Sequence, residues 1–143
     1  MTAQEMWNAS GIQAEYEAWA FGDDPDTLAE LVRTGVKTAT ASAYPFYELE
    51  GEDLPKAGEY SVILNTKDEA VCIIRTTKVY VTPYREVTAE QAWKEGEGDR
   101  SLNYWRWVHE AFFRKELEAV GLGFTENMGV VCEEFEVIYP KVV

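Results

Sequence analysis

The run EAVCIIRTTKVYVTPY at residues 69–84 constrains the fold more than any other part of the chain. β-Branched side chains dominate it, and they fit the pleated, half-buried surface of a sheet better than they fit a helix. The run therefore predicts one or two strands. The preceding segment EYSVILN alternates, with Tyr60, Val62 and Leu64 on one side, and predicts another strand. The stretch NTKDEA between them is a candidate hairpin turn.

Helical patterns precede and follow these strands. Apolar residues spaced near helical intervals predict a helix from about Ala3 to Ala20. A second helix is predicted to begin with Asp24 as its N-cap and Pro25 at its first position, and to end at Gly35. TAEQAWKEGEGDRSL predicts a short helix and then an acidic loop. SLNYWRWVHEAFFRKELEAVG predicts a longer helix with Ser101 as its N-cap.

Two further segments complete the pattern. The proline and glycine residues of SAYPFYELEGEDLPKAG predict a loop, and MGVVCEEFEVIYP predicts a final strand. No repeat, low-complexity tract or linker interrupts the chain. The order of helix, helix, strands, helices and strand predicts one α+β domain over residues 1–143, with strands that curl into a small barrel.

The charge of the chain restricts its partners. The formal net charge is −13 over 143 residues, whereas tight binding of duplex DNA usually requires a basic surface that neutralises phosphates. We therefore expect no duplex DNA partner. A small pocket with local positive charge is compatible with this balance, because nearby groups set the field in a cleft.

Location and metal content can also be predicted. No apolar run approaches the roughly 20 residues of a membrane span, and the N-terminal residues lack the pattern of a signal peptide, so we expect a cytoplasmic protein without a membrane partner. Cys72 and Cys132 lie in apolar, strand-like runs without CxxC spacing, and the chain has one histidine. This pattern predicts buried thiols and no structural zinc site.

The turn GVKTAT at residues 35–40 is the first candidate site. If the chain is extended from Lys37, then Thr38 and Thr40 share one face, while Lys37 and two alanines share the other. A partly buried lysine can act as a base or nucleophile, and a charged one can hold a phosphate or carbonyl oxygen. The simpler alternative is a solvated lysine beside β-forming threonines.

The loop EGEGDRSL at residues 95–102 is the second candidate. Its glycines would let the backbone approach a ligand closely, and a carboxylate here could serve as general acid or base or pair with Lys37. The following helix N-terminus could accept an anion. The carboxylates do not follow the EF-hand spacing, and a solvated acidic loop is the alternative.

Two more parts of the sequence contain candidate functional residues. In YWRWVHEAFF, the residues Trp105, His109 and Phe112 form one helical stripe, which predicts core packing with a hydrogen-bonded histidine. The alternative is a base-stacking surface that uses an exposed tryptophan or Tyr104. Glu133 interrupts an apolar strand face. It is either a buried carboxyl with a raised pKa or an edge residue, and the pattern favours the edge.

Six segments, taken in order, resemble the ASCH-domain family, a branch of the PUA-like superfamily. They are WAFGD, LAELVRTGVKTATASAYPFYE, LPKAGEYSVIL, VCIIRTTKVYV, EGEGDRSLNYWRWVHEAFF and VVCEEFEVIYP. The resemblance covers nearly the whole chain. It implies a PUA-like small β-barrel with surrounding helices, and a cleft where the GxKT segment meets the loop before the long helix.

The resemblance also implies an activity. The superfamily is linked to RNA and to modified nucleosides, and one branch resembles amidohydrolases that remove the acetyl group of N4-acetylcytidine with a Lys, a Thr and a Glu. Their KTxT segment is similar to residues 37–40, so Lys37 and Thr40 carry over. Their Glu lies a few residues before a Thr-Leu pair. Ser101 and Leu102 take that place here, and Glu97 is the best match, offset by about one residue. Another branch resembles ribonucleases acting on single-stranded RNA.

These features together predict a protein that binds RNA or a nucleoside and hydrolyses an N4-acetylcytidine-type amide or single-stranded RNA. A non-catalytic RNA- or nucleotide-binding module is the alternative, and a protein-interaction domain is a third. In the amidase version Lys37 is base or nucleophile, Thr40 is nucleophile or proton relay, and Glu97 orients or exchanges the proton. The predicted substrate-binding residues are Thr38, Ser42, Tyr47, Arg100, Ser101, Tyr104, Trp105 and Arg106. No cofactor or metal ligand set is predicted, a divalent cation stays open, and the pattern does not indicate an oligomeric state.

Overall fold

The β-branched run forms one long strand in a computed structural model that describes residues 1–141. Within that range the chain begins with helix, strand, helix, strand and helix. Three further strands, interleaved with three helical segments, follow. Their bounds are α1 Ala3–Ser10, β1 Tyr16–Trp19, α2 Pro25–Arg33, β2 Ala39–Ala43, α3 Tyr44–Glu50, β3 Tyr60–Leu64, β4 Ala70–Pro83, a 3-10 turn Tyr84–Glu86, α4 Ala89–Glu95, α5 Leu102–Ala119 and β5 Gly129–Tyr139.

The five strands form one sheet in the order β1-β3-β4-β5-β2. β1 pairs with β3 in parallel, and the other neighbouring pairs are antiparallel. The hairpin predicted at NTKDEA joins β3 to β4. The α+β class is confirmed. The predicted barrel is not closed, because no ladder joins the edge strands β1 and β2 within residues 1–141.

The predicted helix from Ala3 to Ala20 is wrong in its second half. α1 ends at Ser10, and Gly11 caps it in the left-handed region with φ +74°. Glycine adopts this conformation without a Cβ penalty, so the helix can stop there. Residues 16–19 then gain ladder bonds to β3, and Tyr16 stacks on Trp7 of α1 with ring centres 4.5 Å apart.

The loop predicted from SAYPFYELEGEDLPKAG is also partly wrong, because its first half forms α3. Pro45 lies in the first turn of this helix, where a missing N–H costs nothing. α2 does begin at Pro25 as predicted. Asp24, however, adopts a left-handed φ of +44° and makes no capping bond, and Asp26 accepts hydrogen bonds from Thr66 instead.

Core residues pack on both faces of the sheet. On one face α4 and α5 cover β5 through Trp105, Phe113 and Cys132, while α1 covers β3 and β4. On the other face α2 and Phe21 pack against β3, β4 and Phe135. Cys72 and Cys132 are free and buried, as predicted, and burial raises the pKa of each thiol to about 12. None of the described helices is long and apolar enough to cross a membrane.

Candidate functional site

Lys37 lies between the end of α2 and the start of β2, and its side chain is only 1% exposed. Its Nζ donates a hydrogen bond to Oε2 of Glu97 at 3.0 Å and to the carbonyl oxygen of Glu95 at 3.4 Å. It also lies 3.6 Å from Oε1 of Glu95. The alternative of a solvated surface lysine is therefore wrong. The fold brings Lys37 and Glu97 together across 60 residues of sequence.

Glu95 is the second centre of this buried cluster, and its side chain is also 1% exposed. Its Oε2 accepts hydrogen bonds from Trp105 Nε1 at 2.6 Å and Gln91 Nε2 at 3.1 Å, and its Oε1 lies 3.5 Å from His109 Nε2. Burial alone would raise the pKa of this carboxyl. The Lys37 charge, with His109 and Gln91, outweighs burial and holds the pKa below its usual value.

The helical stripe of α5 forms part of the core, as predicted. Trp105 is 3% exposed, and His109 stacks on it with ring centres 4.1 Å apart. His109 Nδ1 is 2.9 Å from the carbonyl oxygen of Trp105. Trp105 therefore orients Glu95 through its indole N–H, and it presents no free face on which a ligand could stack. Sequence reasoning missed Glu95 as a site residue, because its partners come from α5 and from the turn before β2.

The same cluster can be tested as a metal site. Among residues 1–141, Glu95, Glu97 and His109 are the group of three candidate ligands whose atoms lie within 4.8 Å of one another. The Lys37 ammonium already lies beside both carboxylates. A divalent ion would have to share that space with a positive charge, so these residues do not fit a metal while Lys37 is present.

A cleft of about 1710 Å³ opens between the two edge strands of the sheet. Residues of β1 and β2 line its sides, so the sheet curves until its edges flank the same space. Eight acidic side chains and one basic side chain, Lys56, line it. Phe21 also lines it, and the Phe21 ring centre lies 5.5 Å from Lys37 Nζ, so the buried cluster adjoins the cleft at this ring.

Three of the predicted site residues line this cleft: Thr40, Ser42 and Tyr47. Thr40 and Ser42 are two residues apart on β2 and therefore share a face. Ser42 Oγ and the Tyr47 hydroxyl lie 2.8 Å apart and share a hydrogen bond. Burial raises the pKa of the Tyr47 hydroxyl. Lys37 and Glu97 are not among the lining residues.

Glu133 is a cleft residue, and its interpretation as an edge residue is wrong. β5 is paired on both sides, so Glu133 lies opposite Thr40 of β2 and opposite Val79 of β4. Directly opposed residues project to the same face, which places a hydroxyl beside a carboxyl. Burial, with added repulsion from Glu59 and Glu17, raises the pKa of Glu133 to about 7. The interruption of the apolar face by Glu133 was the available signal.

Two predicted binding residues make structural contacts near the acidic loop. Thr38 donates to the carbonyl oxygen of Lys94 from its backbone N–H at 2.7 Å and from its hydroxyl at 3.3 Å, which joins β2 to α4. The Arg100 guanidinium lies 3.8 Å from the centre of the Trp93 ring and donates to the Trp93 carbonyl oxygen.

The remaining three predicted residues lie at the start of α5 and away from the large cleft. Ser101 caps the helix as predicted, with its hydroxyl accepting from the Tyr104 N–H at 3.1 Å. The Tyr104 ring covers Gly98, where a Cβ would come within 2.4 Å of it. Arg106 lines a separate cleft of about 370 Å³ together with Trp107, which is 75% exposed.

Comparisons with known proteins agree on one relationship. The family model described as the ASCH domain matches residues 17–139. An ASCH domain from Lactobacillus crispatus JV V101 is 31% identical with a TM-score of 0.90, over 95% of this chain and 93% of that one. Protein EF3133 from Enterococcus faecalis V583 is 37% identical with a TM-score of 0.82, over 98% and 93%.

A more distant structure shares the fold alone. The hypothetical protein PH0355 is 17% identical with a TM-score of 0.58, over 87% of this chain and 99% of that one. A comparison with curated protein sequences returned no match.

Proposed function

The chain belongs to the ASCH-domain family, and on that premise we propose that it binds a modified nucleoside in the cleft between β1 and β2 and hydrolyses an acyl amide on the base, of the N4-acetylcytidine type. The juxtaposition of Thr40 and Glu133 in the cleft lining carries this proposal, and the 3.0 Å ion pair between Lys37 and Glu97 beside the cleft supports it. Burying a lysine is costly unless its charge is paired. A paired lysine that adjoins a polar cleft is a candidate for function as well as for packing.

The charge of the cleft favours a nucleoside over an RNA strand. Eight acidic side chains face one lysine there, so a chain of phosphates would be repelled. The two arginines that were predicted to bind substrate do not line this cleft, because Arg100 stacks on Trp93 and Arg106 lines the smaller one. A nucleoside without phosphate avoids this repulsion, and an amide on a base is uncharged.

Thr40 and Glu133 form the reacting pair in the proposed mechanism. The Thr40 hydroxyl attacks the acyl carbonyl carbon, and the opposing Glu133 carboxylate takes the hydroxyl proton. The C–N bond then breaks, and the leaving amino group of the base takes up that proton. Water attacks the resulting ester, which releases the carboxylic acid and restores the threonine. With a pKa of about 7, Glu133 can accept and return a proton near neutral pH.

Lys37 and Glu97 act beside this pair. Lys37 pairs with two carboxylates and lies beside the Phe21 ring, outside the cleft lining, which suits a fixed positive charge better than a nucleophile. Its pairing with Glu95 and Glu97 would hold the turn before β2, and with it Thr40, against the loop after α4. Glu97, whose side chain is 20% exposed, would hold the ammonium in place.

The test is incubation of the purified protein with N4-acetylcytidine and with a labelled single-stranded RNA, read by chromatography. We expect conversion of the nucleoside alone. Thr40→Val keeps the shape of the side chain and removes the nucleophile, so turnover should fall by at least about 100-fold. Thr77→Val makes the same change on an exposed position of β4, outside the cleft lining, and should leave turnover unchanged.

Three other outcomes would contradict part of the proposed function. Full activity of Thr40→Val would refute the mechanism. Cleavage of RNA without conversion of the nucleoside would refute the amide substrate and support a ribonuclease. Binding of the nucleoside without conversion at high protein concentration would leave a non-catalytic binding module.

A further inference from the structure

We propose that the cleft contains a subsite for a primary ammonium group. Only the identity of the substrate rests on the proposed function. The substrate would be an amide whose acyl chain carries a protonated amine. The side chains that form the subsite come from the inner surface of the curved sheet. They are the carboxylates of Glu17, Glu59 and Glu133 and the hydroxyls of Ser61 and Thr76.

Strand pairing brings these residues to one region of the cleft. Glu17 of β1 is the register partner of Ser61 of β3. Glu59 precedes β3, and its carbonyl oxygen accepts the Thr76 N–H at 2.9 Å. The carboxylates of Glu17 and Glu59 also lie near enough to Glu133 to help raise its pKa. β1, β5 and the residue before β3 therefore direct negative charge into one space, where a cation would relieve the mutual repulsion.

Two hydroxyls that line the cleft provide a second feature of the subsite. Thr76 is 6% exposed and Ser61 is 9% exposed, yet both residues line the cleft. Neither hydroxyl makes a hydrogen bond to another residue in the range 1–141, so its partner has to come from the cleft. Neither oxygen is among the fully enclosed, unpaired atoms of the described chain, so each must be accessible from the cleft. Both are placed to accept a hydrogen bond from a ligand.

An ammonium group fits these donors and acceptors better than a metal ion does. Within residues 1–141, Glu17, Glu59 and Glu133 are not among the acidic groups whose oxygens converge within 4.8 Å, as ligands of one divalent ion would. An ammonium needs one close carboxylate and hydroxyl acceptors for its other hydrogens, while more distant carboxylates contribute through their field. Aromatic residues of the lining, such as Trp19 and Tyr47, can cover an alkyl chain and attract its charge.

Direct binding tests the subsite separately from any reaction. Calorimetry compares 1,4-diaminobutane with butane-1,4-diol, which has the same length and no charge. We expect the diamine to bind and the diol not to bind. Thr76→Val and Glu133→Gln should each weaken diamine binding about tenfold, because each removes one acceptor of a charged donor. Glu50→Gln removes the same charge from an exposed position of the cleft lining and should change binding less than twofold.

Three results with the diamine and the diol would overturn the subsite. They are absence of diamine binding, equal binding of the diol, and an equal loss in Glu50→Gln and Glu133→Gln, which would mean diffuse attraction in place of a site. Binding of Mg²⁺ that excludes the diamine would make it a metal site and would also overturn the inference.

The substrate arm compares N4-(β-alanyl)cytidine with N4-propanoylcytidine, which differ by one amino group. We expect the aminoacyl compound to be hydrolysed about tenfold more efficiently. Hydrolysis of both at equal rates would refute the amine preference and keep the proposed function. Hydrolysis of neither, together with diamine binding, would refute the proposed function and keep the subsite.

Discussion

Replacing Lys37 by Met should destabilise the fold strongly, although the substitution keeps most of the apolar length of the side chain. Lys37 and Glu95 are each 1% exposed, and Nζ lies 3.6 Å from Glu95 Oε1. Removing the lysine leaves the Glu95 carboxylate buried with neutral donors and with His109 at 3.5 Å. Removing one partner of a buried pair costs about 3–5 kcal/mol, because the other charge stays desolvated and uncompensated. We expect a loss of that size at pH 7.

The double variant Lys37→Met/Glu95→Gln separates this effect from packing. A neutral amide can still accept from Trp105 or Gln91 without an unpaired charge, so the double variant should recover about 1–3 kcal/mol relative to the sum of the single losses. Glu30→Gln removes an exposed carboxylate on α2 that pairs with Arg33, and it should cost less than about 1 kcal/mol. Urea unfolding followed by tryptophan fluorescence gives the free energies of unfolding of wild type, Lys37→Met, Glu95→Gln, the double variant and Glu30→Gln.

The stability lost in Lys37→Met should depend on pH with a defined sign. The wild-type Glu95 pKa is held below its usual value, so its contribution to stability is present above the unfolded pKa and is lost as pH falls through the folded pKa. Without Lys37, burial dominates and favours the neutral carboxyl. The difference between wild type and Lys37→Met should therefore narrow on acidification below about pH 4.5. Two results would refute the account of the cluster. One is a double variant whose loss of stability equals the sum of the single losses, and the other is a difference between wild type and Lys37→Met that widens at low pH.

Two further predictions concern the turn after α4 and the cleft. Gly96→Ala should destabilise the protein more than Gly121→Ala by at least about 1 kcal/mol. Both glycines have positive φ, but a Cβ at Gly96 would lie 2.6 Å from the Val36 carbonyl oxygen, whereas nothing lies within 4 Å at Gly121; equal losses in urea unfolding would contradict this. Glu133→Gln should flatten the pH dependence of stability. Because the Glu133 pKa rises to about 7, wild-type stability should fall by up to about 3 kcal/mol between pH 4.5 and 7, and a fall that persists in the variant would contradict the assignment.

Local sequence signals predicted the parts of the fold that depend on local physics. The alternation of EYSVILN, the β-branched run of β4 and the Ser101 cap of α5 all appear in the structure. Errors arose where a local pattern was ambiguous. Tyr16 and Trp19 have helical spacing but belong to β1, because pairing with β3 decides their conformation. The prolines and glycines near α3 suggested a loop, although Pro45 suits the first turn of a helix equally well.

The residues of the candidate site also fall into those that local sequence could identify and those that depend on long-range contacts. Lys37 and Thr40 lie in a short motif, so the resemblance could identify both. Glu95 and Glu133 depend on long-range pairing. The partners of Glu95 come from α5 and from residue 37, and the position of Glu133 follows from β2 pairing beside β5. Whether a carboxyl on a strand lies at an edge or in a cleft depends on the strand order, which periodicity does not contain.

The distribution of the net charge of −13 within the fold determines which ligands the cleft favours. The buried lysine is balanced by Glu95 and Glu97, so it adds little positive potential to the cleft beyond the Phe21 ring. The cleft itself keeps its acidic lining, in which burial, with repulsion from Glu59 and Glu17, raises the pKa of Glu133 to about 7. Such a site would repel phosphates and attract cations over the length of its lining. The nucleoside proposed above should therefore bind there in a neutral or positively charged form, and adding a 5′-phosphate to it should weaken its binding.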